Sequence, residues 1–226
     1  MGTSASTIAL MYHAIGEGAA ANADRHYTVA RERFARQLGL CTGAGGAVVE
    51  GEDDARRATA DFFVNPAQVG TPGYATWAEL REMSDAGMSI QSHGLDHRVF
   101  LTDLPPAQLR DDLRRARLEI ESQVGRPVTL LAPAGGREPA DLAEVALEVG
   151  YTRVLNSKPG RVRPDDGPTL GRLAVTSRLD DATLESWLRG GPALWKAQAR
   201  YAVLDLAKRA LGDGAYQRVR RRLLGA

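Results

Sequence analysis

Short apolar stretches alternate with stretches of helical periodicity along most of this chain of 226 residues. Parallel strands need a long crossover between them and a helix usually supplies it, so this alternation is typical of a mainly parallel sheet wrapped by helices. The sequence therefore predicts an α/β fold. The candidate strands are residues 7–13, 46–50, 61–64, 88–92, 128–133, 152–156 and 169–175.

Local signals mark two helices between these strands. Thr76 and Glu79 form a capping-box pattern, in which each side chain can satisfy a free backbone amide of the first turn, and Gly87 supplies the stop. A later apolar stripe of period 3.6 runs to Val124 and ends at Gly125. We expect a helix at each of these two places.

Half of the chain's four histidines lie just after the candidate strand 88–92. His93 and His97 are four residues apart, and on a helical turn this spacing places both imidazoles on one side, where they can share one divalent metal ion. A third ligand is still required. The same spacing also occurs in a polar loop that caps a helix, and the spacing alone leaves both interpretations open.

Other chemically useful residues also follow candidate strands. In parallel α/β folds, sites gather where strands end and loops begin. His13 ends the first candidate strand, and a glycine-rich turn that begins with Pro133, Ala134 and Gly135 ends the fifth. Such a turn can present backbone N–H groups to a developing oxyanion, although it can equally be a plain tight turn.

Composition and charge limit the partners. A net charge of +1 makes no general case for nucleic acid, and no run of 18 apolar residues is present. The first six residues lack the pattern of a secretory signal, and Cys41 is the one cysteine. These features predict a cytoplasmic protein, free or at the inner face of the membrane.

The basic residues are concentrated at the end of the chain. Residues 192–226 contain eight basic and two acidic residues, against 21 basic and 26 acidic residues in the remainder. We predict a main domain over residues 1–191 and a basic amphipathic helical tail over 192–226. The tail either packs on the main domain or makes peripheral contact with an anionic membrane or a lipid-linked substrate. Its stripe consists of Leu194, Ala197, Tyr201, Leu204, Lys208 and Leu211.

An ordered set of short motifs covers most of residues 7–176. The motifs are Ala9-Leu10-Met11-Tyr12-His13, Tyr27-Thr28-Val29, Asp61-Phe62-Phe63-Val64, Thr76-Trp77, Gly87-Met88, Ser92-His93-x-x-x-His97 and Ala132-Pro133. In this order they resemble the NodB-like polysaccharide deacetylases. The resemblance implies a distorted, incomplete (β/α) barrel with a C-terminal helical extension.

The resemblance also implies a site and a chemistry. A divalent metal would be held by Asp54, His93 and His97, with zinc first and cobalt, nickel, manganese or iron as alternatives. A metal-bound water would attack an N-acetyl carbonyl with Asp53 as base. The turn of Pro133, Ala134 and Gly135 would steady the oxyanion, with Ala134 at the position after the proline.

The first motif departs from the family pattern of Thr-Phe-Asp-Asp-Gly followed by a full helix. Only residues 55–60 separate Asp54 from the next candidate strand. Six residues rise about 9 Å as a helix, which is too little for a crossover between parallel strands. We therefore expect the early strand–helix unit to be shortened around residues 42–60. Asp53 and Asp54 either reach the site on a rebuilt loop or are solvated charges beside Arg56 and Arg57.

The general acid also differs, because the family's Leu-x-His has no counterpart and no histidine follows His97. Residues 171–175 occupy the expected strand without a histidine. His13 is the substitute acid, unless it has only a structural role.

The sequence thus predicts a metal-dependent hydrolase that removes an acetyl group from an N-acetylated sugar or lipid-linked glycan. Two alternatives stay open. One is a degenerate domain that binds a glycan or a partner without turnover, and the other is a hydrolase of a small amide or cyclic imide.

Overall fold

The computed structural model describes residues 6–16, 25–43 and 59–206. In chain order the strands are β1 (Leu10–Met11), β2 (Ala14–Ile15), β3 (Thr28–Val29), β4 (Asp61–Val64), β5 (Ser89–Ser92), β6 (Leu130–Leu131), β7 (Arg153–Leu155), β8 (Thr169–Leu170) and β9 (Leu173–Ala174). The helices are α1 (Arg31–Gly43), α2 (Trp77–Asp85), α3 (Pro106–Val124), α4 (Leu142–Glu148) and α5 (Asp181–Leu188), and residues 192–206 are also helical.

A five-stranded parallel sheet forms the centre, in the order β4-β5-β6-β7-β8. Two further parallel pairs are formed by β1 with β9 and by β2 with β3. The described strands form three separate sheets rather than a closed ring. This arrangement confirms the predicted α/β class and is consistent with an incomplete barrel.

Both helices predicted from local signals are confirmed. The Thr76 hydroxyl accepts from the Glu79 N–H, and the Glu79 carboxylate accepts from the Thr76 N–H at 2.7 Å, so the capping box closes at the start of α2. Gly87, just past α2, has a φ of +93°. Gly125 ends α3 in the left-handed conformation with a φ of +70°. Glycine adopts these angles without the steric cost that a side chain would add.

The prediction of one strand over residues 169–175 is wrong, because the chain changes partner within it. β8 pairs with β7, whereas β9 pairs with β1. Gly171 lies at the change, and a Cβ there would collide with the carbonyl oxygen of Lys158. The candidate strand 46–50 lies outside the described residues.

Among residues 6–16, 25–43 and 59–206, apolar side chains form two buried clusters. The first lies between the central sheet and helices α2, α3 and α4, and includes Leu113, Leu131 and Val154. The second lies between the β1–β9 pair and helices α1 and α5, and includes Leu173 and Leu184. The candidate site described below lies where the strands of the two clusters end.

The helical spacing predicted for the tail is confirmed as far as residue 206. Leu194 is buried in the second cluster and Ala197 packs against it. On another face of this helix Trp195 is 69% exposed. Lys208 and Leu211 lie outside the described residues, so the structure does not test the predicted membrane contact of the tail. Among residues 6–16, 25–43 and 59–206, no helix is long and apolar enough to cross a membrane.

Candidate metal centre

The residues at the centre of the site directly follow three neighbouring strands of the central sheet. Asn65 follows β4, His93 follows β5 and Ala132 follows β6. The backbone hydrogen bonds continue to these strand ends: the His93 N–H donates to the Val64 carbonyl at 2.9 Å, and the Ala132 N–H donates to the Ser92 carbonyl at 2.9 Å. The sheet therefore fixes the backbone from which the His93 side chain projects.

His93 has one defined tautomer. Its Nδ1 lies 2.7 Å from the Ala132 carbonyl oxygen, which can only accept a hydrogen bond, so Nδ1 carries the proton. Nε2 keeps its lone pair, as a metal ligand requires. Burial, aided by the neighbouring His97, lowers the pKa of His93 to about 4, although the Ala132 hydrogen bond acts in the opposite direction. The imidazole is therefore neutral at physiological pH.

His97 lies beside His93, but not on a helical turn. Residues 93–100 form an irregular loop, and Gly94 has a φ of +86°. The helical interpretation of the spacing is therefore wrong. The loop nevertheless brings the two ring centroids to 5.4 Å, with 37° between the ring planes. The two imidazoles predicted as ligands thus lie together, His93 partly buried and His97 exposed.

Side chains that the sequence analysis did not identify hold this loop. The Asn65 amide donates to the carbonyls of His93 at 2.8 Å and Gly94 at 3.0 Å. Asp112 of α3 accepts from the Leu95 N–H at 3.1 Å, and burial raises the pKa of its carboxyl group. Asn65 could have been noticed, because a polar residue directly follows the candidate strand 61–64. Asp112 lies on a helix far along the chain and offers no such signal.

Gln68 contacts the other half of the loop. Its side-chain oxygen accepts from the His97 N–H at 3.1 Å, and its side-chain nitrogen donates to Asp96 at 2.8 Å. Gln68 is 9% exposed. Nothing in the sequence pattern distinguishes it from a surface glutamine, because the short helical turn on which it lies was not predicted.

His13 lies at the same end of the molecule. It stands between β1 and β2, with its ring centroid 5.0 Å from that of Tyr27. Electrostatic interaction with His13 is the smallest of the causes that lower the pKa of His93. The structure therefore places His13 within electrostatic range of His93.

The glycine-rich turn closes another side of the site. Residues Ala134–Gly136 form a short 3-10 turn after Pro133, in which Gly135 has a φ of +64°. The Gly136 N–H donates to the Pro133 carbonyl at 3.1 Å, and Ala134 is buried. A Cβ built on Gly135 would lie 2.7 Å from the ring of Phe100, so the turn packs closely against the end of the histidine loop.

The predicted carboxylates cannot be placed in this geometry. Asp53 and Asp54 lie outside the described residues. Within the described ranges, no three histidine, cysteine, aspartate or glutamate side chains are grouped so that they could hold a metal ion. The described residues thus supply two of the three predicted ligands.

Residues 171–175, where the family has its Leu-x-His, contain a buried arginine that the sequence analysis did not identify. Arg172 is 6% exposed, and its Nε donates to the Asn156 carbonyl at 3.2 Å. Its guanidinium carbon lies 5.4 Å from the centroid of the Phe63 ring. Burial lowers the pKa of Arg172 to about 10, and its positive charge helps to lower the pKa of His93. The site therefore contains a fixed cation that favours neutral imidazole.

Two imidazoles and a glycine-rich turn at the carboxyl ends of parallel strands define an α/β protein with a candidate metal centre. Residues 54–154 match the family model of the polysaccharide deacetylases. The protein YxkH of Bacillus subtilis (strain 168), named for the same family, is 25% identical over 130 residues, which are 57% of this chain and 46% of YxkH. This chain thus spans about half the length of that curated relative.

Solved structures of deacetylases share the fold. A polysaccharide deacetylase from Bacillus cereus superposes with a TM-score of 0.67 at 18% identity, covering 82% of this chain and 69% of its own. Streptococcus pyogenes PplD, solved in complex with acetate, superposes with a TM-score of 0.67 at 18% identity, covering 83% of this chain and 98% of its own. IcaB from Ammonifex degensii superposes with a TM-score of 0.64 at 20% identity, covering 86% of this chain and 98% of its own. Together these matches show that the chain has the fold of NodB-type deacetylases and that residues 54–154 are similar to the polysaccharide deacetylase family.

Proposed function

We propose that this protein is a metal-dependent hydrolase that removes the acetyl group from an N-acetylated sugar of a glycan. The observation that supports this most is the His93 imidazole, because the contact of Nδ1 with the Ala132 carbonyl leaves Nε2 free to bind a metal beside His97. The family match and the deacetylase fold support the type of reaction.

The donors present suit a borderline divalent ion. Two neutral imidazoles are common ligands of zinc, cobalt, nickel and iron, and catalytic zinc sites usually add a third protein ligand while keeping a position open. Asp54 is the third ligand in this proposal. Bound there, a divalent ion acts as a Lewis acid towards a carbonyl oxygen and lowers the pKa of a water molecule.

The protein groups then divide the proton transfers between them. Asp53 accepts a proton from the water that adds to the acetyl carbonyl carbon. The backbone N–H of Ala134 donates to the oxygen that becomes negatively charged. His13 donates a proton to the sugar nitrogen as the C–N bond breaks, so that acetate and a free amine leave. Each of these roles is a proposal that mutation can test.

Metal content is the first test. Elemental analysis of the purified protein is expected to find about one divalent ion per chain, and His93→Ala, His97→Ala and Asp54→Ala are each expected to lose it. His26→Ala is the matched control, because His26 lies beside Tyr27 rather than in the histidine loop. Unchanged metal content in His97→Ala would overturn the proposed centre.

Acetate release distinguishes the proposed reaction from its alternatives. We expect the wild type to release acetate from N-acetylglucosamine oligomers, and Asp53→Ala to lose this activity while keeping the metal. Turnover of small amides or cyclic imides alone would favour the second hydrolase class. Binding of the oligomers by calorimetry without acetate release would instead identify a glycan-binding domain that has lost its chemistry.

A further inference from the structure

The His97 ring lacks the kind of support that His93 has. His93 follows a sheet strand and its ring is fixed by the Ala132 carbonyl. His97 is exposed, lies in an irregular loop and follows Gly94, whose φ is +86°. The direction of an exposed side chain depends on the backbone that carries it, so the position of the His97 ring depends on what holds the loop at residues 96 and 97.

Gln68 holds the loop at both of these residues. Its Oε1 accepts from the His97 N–H at 3.1 Å, and its Nε2 donates to Asp96 Oδ1 at 2.8 Å. Only one orientation of the amide satisfies both contacts, because a carboxylate accepts and a backbone N–H donates. Gln68 is 9% exposed, so little water is available to replace either bond.

The contact with Asp96 is itself anchored. Arg98 donates to Asp96 through its guanidinium, with 2.6 Å between Nη2 and Oδ2, and through its backbone N–H at 2.9 Å. These bonds hold the Asp96 carboxylate in the orientation in which its Oδ1 accepts from Gln68.

We propose that Gln68 is the positioning residue for His97, and that its amide sets the affinity and geometry of the metal centre without binding the metal. This inference rests on the proposed function, because it requires a metal on His93 and His97. Gln68 lies in the turn after β4, next to the strand that carries His93, so the same edge of the sheet would control both ligands.

The test uses Gln68→Leu in the full chain, with cobalt(II) as the probe. We expect cobalt affinity to fall about 10- to 100-fold, as is typical when a group that orients a ligand is removed. The visible absorption spectrum of the bound cobalt should also change, since it reports ligand geometry. In the metal-free protein, the His97 amide should exchange with solvent faster than in the wild type, because its acceptor is gone.

Gln91→Leu is the matched control. Gln91 is also buried, and its side-chain oxygen accepts from the N–H groups of Thr129 at 2.9 Å and Leu130 at 2.7 Å. These contacts lie at the start of β6, away from the histidine loop. Gln91→Leu should therefore lower the stability of the protein while leaving the cobalt spectrum, cobalt affinity and His97 amide exchange as in the wild type.

A second variant guards against a failure of Gln68→Leu to fold. Gln68→Glu keeps the size of the side chain and an acceptor for His97, but it places a carboxylate against the carboxylate of Asp96. We expect reduced cobalt affinity in Gln68→Glu and partial recovery when Asp96→Asn is added, since the second change removes the like-charge repulsion. Recovery in the double variant would support positioning by Gln68 rather than general damage.

The outcomes separate the two proposals. Wild-type cobalt affinity and spectrum in Gln68→Leu would overturn the role of Gln68 and leave the metal centre standing. Faster His97 exchange with unchanged cobalt binding would show that the contact is only structural, and would overturn the role as well. A wild type that binds no cobalt would overturn the metal centre and, with it, any positioning role of Gln68.

Discussion

His93 is the residue whose surroundings are most completely defined. The Ala132 carbonyl fixes its tautomer, and burial together with His97 and Arg172 lowers its pKa to about 4. In the unfolded chain its pKa returns to the ordinary value of 6.5. As pH falls below 6.5, His93 becomes protonated in the unfolded state, whereas in the folded state it stays neutral until about pH 4. The folded state therefore loses stability between these two pH values.

This linkage predicts a measurable pH dependence in the metal-free protein. At pH 5 the cost of keeping His93 neutral is about 2 kcal/mol relative to pH 7, from 1.36 kcal/mol for each unit between 6.5 and 5. His93→Asn removes the titrating group while keeping a side-chain N–H that can donate to the Ala132 carbonyl. Urea unfolding at both pH values should show a loss of stability in the wild type that exceeds the loss in His93→Asn by about this amount. Equal losses in the two proteins would contradict the assignment.

For single residues, the sequence predicted the proximity of His93 and His97 but not the backbone conformation that produces it. His13 and His93 were chosen because they lie at strand ends, and His97 because it is four residues from His93. All three lie at the same end of the molecule. The helical turn was wrong, because Gly94 turns the backbone into a loop. Gln68 and Arg172 were missed because their importance depends on contacts with residues 28 and 16 positions away. Such contacts leave no local pattern.

Among the secondary-structure elements, those with a local physical signal were predictable. The capping box of α2 and the left-handed glycine after α3 act over three or four residues, and the structure contains both. The division of residues 169–175 between β8 and β9 depends instead on the close approach of Lys158 to Gly171. Helix α5 was also missed, although Asp180 caps it by accepting from the Thr183 N–H at 2.7 Å.

The conformation of the turn after Pro133 can be tested by replacing Gly135. Gly135→Ala forces a side chain into a left-handed backbone, at about 1–2 kcal/mol, and also drives its Cβ against Phe100. We expect it to destabilise the protein and to lower the proposed deacetylase activity by displacing the turn or the loop. Thermal unfolding and acetate release measure the two effects.

Gly125→Ala is the control for this substitution. Gly125 has a similar φ of +70°, but a Cβ there would meet nothing within 4 Å. Gly125→Ala should therefore lower stability only by the cost of the backbone strain and leave activity unchanged. If Gly135→Ala costs no more stability than Gly125→Ala and keeps full activity, the packing of the turn against Phe100 does not matter for the site.

In the described part of the chain, two apolar clusters both contribute residues to the candidate site. His93 and the Pro133 turn extend from strands of the first cluster, whereas His13 and Arg172 flank the β1–β9 pair of the second. Only Gly171 and Arg172 separate β8 from β9, so the clusters are joined by a very short connection. We therefore expect them to unfold together.

Matched leucine truncations test this expectation. Leu113 in the first cluster and Leu184 in the second are both fully buried, and each replacement by alanine should cost about 2–5 kcal/mol. Both variants should still unfold in one transition, at the same urea concentration by tryptophan fluorescence and by circular dichroism. Two separate transitions in Leu184→Ala would show that the second cluster is an independent unit.

The pairing of β1 with β9 also bears on how the chain reaches this structure during synthesis. Leu10 is synthesised before the central sheet, whereas its strand partner Leu173 is synthesised after it. The first cluster can begin to assemble from neighbouring segments, whereas β1 stays unpaired by β9 until β9 has been synthesised. A nascent chain stalled before residue 170 would therefore hold β4 to β7 without the strand that pairs with β1. The pairing of β1 with β9 would then follow the assembly of these strands.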